Sequence, residues 1–187
     1  MAKERQYGGS QKIRKKEYTG QNVLQAALER IRYLFSNFDK VVVSFSAGKD
    51  STVALNLAYI VAKETNRLPL EVVFFDEEVI SQQTHDYCMR LYENPDFNFR
   101  WFCVPLKQRN ACSFEHPYWY CWGEQDKHLW TRQIPSIAET SIPNYRIESA
   151  ETGVADAMES LYTANDGKVC TITGIRTEES LRRYRAV

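Results

Sequence analysis

The segment Val41-Val42-Val43-Ser44-Phe45-Ser46-Ala47-Gly48-Lys49-Asp50-Ser51 sets the tightest limit on the fold. Three β-branched residues in a row read as a buried parallel strand. The run ends at residues with almost no side-chain bulk. From Asp50 to Asn66 apolar residues recur at helical spacing, and Val53, Ala54, Leu57, Ile60 and Val61 are expected on the inward face. A strand that turns through small residues into a helix begins a βα unit, and repeating that unit builds a parallel sheet.

The remaining elements repeat the pattern. Gln21 to Phe38 reads as an amphipathic helix through Val23, Leu24, Ala27, Leu28, Ile31, Leu34 and Phe35. Leu68 to Phe75 reads as a second buried strand, stopped by Asp76-Glu77-Glu78. Ser81 to Glu93 reads as a helix ended by Asn94-Pro95-Asp96. Phe99 to Val104 and Lys168 to Thr173 are a third and a fourth strand. Ala150 to Tyr162 is a helix with Val154, Ala157, Met158 and Leu161 inward. Residues 1–20 form a basic arm ahead of a single domain, 21–187. Within that domain residues 106–149 read as an irregular, Trp-rich insertion. The alternation predicts a three-layer, doubly wound, mostly parallel α/β sheet of Rossmann-like type. Ligands of such sheets bind beyond the carboxyl ends of the strands, at a switch in strand order. The two polar, Gly-bearing strand ends, Ser46-Ala47-Gly48 and Thr173-Gly174-Ile175-Arg176, are expected to enclose the site.

The turn at 46–51 suits an anion. Small residues let the backbone approach a ligand closely. The following helix aims unpaired N–H groups and the positive end of its dipole at the turn. Lys49 adds a point charge, Ser46 and Ser51 add hydroxyls, and Asp50 could cap the helix or help hold Mg²⁺. Two common phosphate motifs are excluded by spelling. A Walker A loop needs Gly where Val43 stands and Ser or Thr where Asp50 stands, and no G-x-G-x-x-G occurs.

The block Ser44 to Thr52 resembles the PP-loop signature S-G-G-x-D-S, with Ala47 in the place of the first Gly. Phe74-Phe75-Asp76-Glu77 forms a second matching block. Thr173-Gly174-Ile175-Arg176-Thr177-Glu178-Glu179-Ser180 with Arg182 and Arg183 forms a third. Residues 22 to 187 thus resemble the phosphoadenosine phosphosulfate (PAPS) reductase-like branch of the PP-loop superfamily. Pro105 to Pro135 is similar to the Trp-rich segment of a subgroup found in bacterial regulators and phages.

This resemblance implies an adenine nucleotide alpha-hydrolase-like fold with ATP or PAPS as ligand, accompanied by Mg²⁺. It implies nucleotide contacts from Ser44, Ser46, Ala47, Gly48, Lys49, Asp50, Ser51, Phe75, Asp76, Gly174 and Arg176, with Asp76 the candidate for Mg²⁺. Lys49, Asp50 and Arg176 would be catalytic, and Arg109, Glu179, Ser180 and Arg183 would touch the substrate. The reaction implied is adenylyl or sulfur-related transfer at the α-phosphate or sulfate end. The alternative is a nucleotide-sensing regulatory module without catalysis. PAPS reductases carry a nucleophilic cysteine in a C-terminal Glu-Cys-Gly-type motif, and this sequence has none.

The five cysteines, Cys88, Cys103, Cys112, Cys121 and Cys170, form no C-x-x-C and are expected as free thiols, with Cys112 and Cys121 the better candidates for exposure. Cys103, Cys112, His116, Cys121 and His128 do not match a zinc knuckle or ribbon, so zinc and iron–sulfur clusters are not expected, nor is haem or flavin. Lys plus Arg balances Asp plus Glu at 24 each, so the chain as a whole does not attract nucleic acid; only the arm (Lys3, Arg5, Lys12, Arg14, Lys15, Lys16) offers that surface, or a solvated terminus. The Trp-rich segment reads either as a lid or protein-docking platform, or as a small satellite core. No apolar stretch is long enough to span a bilayer and no secretory signal is present, which makes the cytoplasm the expected location.

Overall fold

A computed structural model describes residues 20–110, 112–143, 145 and 153–175. The basic arm, apart from Gly20, lies outside the described residues, as do Arg176, Glu179, Ser180 and Arg183.

Four parallel strands, β1 (Lys40–Phe45), β2 (Leu70–Phe75), β3 (Phe97–Phe102) and β6 (Val169–Thr173), form one sheet in the order β3-β2-β1-β6. The chain steps outward from β1 to β3, then returns past β1 to lay β6 on its other side. The switch in strand order therefore falls between β1 and β6.

Alternation along each strand separates two faces. Phe45, Phe74, Phe99 and Trp101 pack edge-on or tilted on one face, where Phe45 also meets Tyr87 of α3 (Gln82–Tyr92) and Trp101 meets His85. The same face receives α2 (Lys49–Glu64), whose Tyr59 packs on Phe97. Helix α1 (Val23–Asn37) packs on α2, joined by an ion pair from Arg32 to Glu64 at 2.9 Å. On the opposite face Phe75 stacks on Phe102, Arg100 pairs with Glu139 at 2.6 Å, and Tyr162, just after α4 (Val154–Ser160), lies under Lys40. Three layers result, as the alternation of elements predicts.

Local signals explain the helix starts. Asn22 caps α1 by accepting from the Gln25 amide at 2.9 Å, and Ser81 caps α3 by accepting from Thr84 at 3.2 Å.

Two expectations need correction. The buried face of α2 is Ser51, Leu55, Ala58, Val61 and Ala62, while Val53 and Ile60 are 57% and 43% exposed. This helix is apolar on more than one side, so periodicity alone left its rotation open; the small side chains of Ala58 and Ala62 let that side close on the sheet. The insertion also contains regular structure. Strands β4 (Leu106–Arg109) and β5 (Tyr118–Cys121) pair antiparallel, and a short 3₁₀ turn runs from Glu124 to Leu129. Among the described residues no helix is long and apolar enough to cross a membrane.

Candidate functional site

At the carboxyl end of β1 the chain leaves the sheet through Ser46 and Ala47 and enters α2 at Gly48, its N-cap. Ala47 has φ +59°, in the left-handed region where Gly is at ease and Ala is strained. No side chain caps α2, so its first turn opens toward the loop. Ser51 is buried and holds the turn from inside. Its hydroxyl donates to the Gly48 carbonyl at 3.0 Å and accepts from the Ser46 hydroxyl at 3.1 Å and the Ser46 amide at 3.3 Å. Ser46, Gly48 and Lys49 remain exposed around it.

The end of β6 closes against this turn. Ser44 pairs with Thr173, which brings Gly174 onto the start of α2. A β-carbon on Gly174 would lie 2.7 Å from the Asp50 carbonyl carbon and from the Ser51 nitrogen. Only glycine allows that approach. The structure thus brings Ser44, Ser46, Ala47, Gly48, Lys49, Asp50, Ser51 and Gly174 together at the β1/β6 switch.

Phe75 and Asp76 lie one strand over. Phe75 is buried against Phe102. Asp76 is fully buried, and its carboxylate accepts from the Trp101 indole at 2.9 Å, from the Glu78 amide at 2.8 Å and from the Arg132 guanidinium. The Cys103 thiol approaches the same carboxylate at 3.7 Å. Oδ2 of Asp76 is shared by Trp101 and Arg132 with Cys103 close by, and Oδ1 accepts from the Glu78 amide. Asp76, the residue that the resemblance implies for Mg²⁺, is thus held in a buried network of internal hydrogen bonds. Among the described residues no group of three His, Cys, Asp or Glu is set to hold a metal ion.

Glu78 makes a parallel anchor. Its carboxylate accepts from the Trp122 amide at 2.9 Å and the Thr131 amide at 3.1 Å. The sequence offers no local signal for either contact, because Trp122 and Thr131 lie 44 and 53 positions from Glu78. Arg109 sits exposed at the end of β4, on the two-stranded ribbon.

All five thiols are free. Burial pushes Cys88 and Cys121 up to about 12 and raises Cys103 further. Cys121, expected near the surface, is buried at the end of β5, within the ribbon, whereas Cys112 is exposed. A thiol held protonated is a poor nucleophile.

The phosphoadenosine phosphosulfate reductase domain family matches residues 40–186. The chain is 32% identical over 174 residues to the Escherichia coli (strain K12) protein described as uncharacterized protein YbdN. The match covers 89% of this chain and 41% of that relative, so the chain spans less than half the relative's length. No solved structure matches the chain.

Proposed function

The chain belongs to the phosphoadenosine phosphosulfate reductase family, and on that premise we propose that it binds an adenine nucleotide, ATP or PAPS, at the turn before α2 and acts at its α-phosphate or sulfate end. One observation carries the reading: the small-residue turn at 46–48 feeds an uncapped helix start at the strand-order switch, with Gly174 seated on its first turn. Main-chain amides there suit a polyphosphate or phosphosulfate group.

Attack at the α-phosphorus would put charge on non-bridging oxygens and on a departing pyrophosphate. Fixed amide donors and the exposed Lys49 ammonium would stabilise both. Arg176, next in the chain after Ile175, is the proposed second cation. Cys88, Cys103 and Cys121 are buried and held protonated, so thiol-dependent sulfite release would not fall to these three. Mg²⁺ would arrive with the nucleotide.

Calorimetric titration of ATP and of PAPS tests the reading. Lys49→Ala is expected to weaken the preferred nucleotide about tenfold, the scale of one charged hydrogen bond. Wild-type protein that binds neither nucleotide, or Lys49→Ala with unchanged affinity, overturns it. Pyrophosphate release on incubation with ATP distinguishes catalysis from sensing.

A further inference from the structure

The end of β2 carries a second built feature. Residues 122–132 leave the ribbon, make the 3₁₀ turn and return, and both ends of this excursion are tied to the same two acidic residues. Glu78 receives the Trp122 amide on one carboxylate oxygen and the Thr131 amide on the other. The Trp122 indole donates to the Asp76 carbonyl at 2.7 Å. Arg132 spans Asp76 and Glu78, donating from Nη2 to the Asp76 carboxylate and from Nε to the Glu78 carbonyl at 3.2 Å. The excursion closes on itself where Trp130 packs edge-on against Trp122, at 5.3 Å between centroids.

This strap is anchored at the carboxyl end of β2, which pairs with β1 as far as Phe45↔Phe74, so the strap and the turn after Phe45 leave the same edge of the sheet from neighbouring strands. Backbone strain marks the same place. Glu78 has φ +68° and Trp122 φ +53°, and Ala47 shares the left-handed region with them. Side chains that bulky adopt it only where the surroundings enforce it, and such strain gathers around ligand sites.

We propose that residues 122–132 form the β2-side wall of the nucleotide site and that Glu78 and Arg132 are positioning residues, fixing that wall where the nucleoside end of the ligand lies. The proposal rests on the nucleotide reading above and adds a division of labour. The turn at 46–51 grips the phosphates, and the strap, set by the buried Glu78 and the half-buried Arg132, confines the nucleoside.

Two probes separate these parts: ATP, which needs both, and inorganic tripolyphosphate, which needs only the turn. In Glu78→Gln and Arg132→Met, ATP affinity is expected to fall about tenfold while tripolyphosphate affinity stays within about twofold, with partial recovery of ATP binding in Arg132→Lys. Unchanged ATP binding in variants with the wild-type circular dichroism spectrum overturns the proposal. So does an equal loss for both probes, which is what a purely structural role gives. Should the variants not fold, hydrogen exchange on the wild-type protein decides. Saturating ATP is expected to add protection at the Trp122 and Thr131 amides, and protection confined to 47–52 overturns the wall. Wild-type protein that binds neither probe removes the nucleotide reading itself, and the wall with it.

Discussion

Gly174 rests on the peptide joining Asp50 to Ser51, so close that a methyl group in place of its hydrogen would sit 2.7 Å from that backbone. Both sides of the contact are main chain and cannot rotate away. Gly174→Ala must therefore push β6 off the start of α2. The expected cost is about 1–3 kcal/mol, the usual scale of overpacking, read from denaturant unfolding, together with loss of nucleotide binding by titration.

Ala47 occupies a left-handed turn position at φ +59°. A residue with a β-carbon loses roughly 1 kcal/mol there relative to glycine. Ala47→Gly is expected to raise the thermal midpoint, and Ala47→Val to lower it, since a β-branched residue tolerates this region least. Differential scanning calorimetry on the two variants checks the sign of each.

The Asp76–Arg132 pair is internal, with Asp76 fully buried. Removing one charge strands the other, so Asp76→Asn is expected to cost about 3 kcal/mol of stability whether or not Mg²⁺ is present. Urea unfolding with and without Mg²⁺ is the measurement. A variant of wild-type stability with altered Mg²⁺ dependence would instead identify Asp76 as a metal ligand.

Burial holds Cys88 and Cys121 at about 12 and raises Cys103 and Cys170, while Cys112 is exposed. In the native protein at pH 8, Cys112 is expected to react first with a thiol reagent, and the buried three only after denaturant is added. The same shifts carry a pH dependence. Folded-state values lie above the unfolded value near 8.5, so the native state keeps protons that the unfolded state releases. Stability is then full below about pH 8.5 and falls as pH rises toward 12. Thermal midpoints measured from pH 7 to 10.5 check it.

Asp166 behaves oppositely. The Lys40 ammonium at 2.8 Å, followed by the Thr163 amide, holds its carboxyl down at about 2. Its contribution is present above the unfolded value near 3.9 and is lost as pH falls through about 2. Asp166→Asn is expected to flatten the acid limb of the stability curve between roughly pH 4 and 2, followed by circular dichroism.

The β1–turn–α2 unit, the strands β2 and β6 and the helix α3 are legible in the chain because their signals are local. β-branched runs, helical spacing, a Ser cap and a small-residue turn each act within a few positions. The meeting of the turn with Gly174 was legible too, since a parallel sheet brings its strand ends to one edge. The rotation of α2 was not, because Val53 and Ile60 are as apolar as the residues that turned inward, and only the packing of Ala58 and Ala62 chose between them.

By itself the amino-acid order determined a parallel α/β sheet and a backbone turn able to receive phosphate. Both follow from short-range sterics and hydrophobic periodicity. Tertiary structure alone decided that Asp76 and Glu78 face inward to hold the segment carrying Trp122 and Arg132. An acidic pair at a strand end reads alike whether it meets solvent, a metal or a guanidinium. Which of these neutralises it depends on what the chain brings back from some fifty positions away, and on the large cost of burying a charge without a partner.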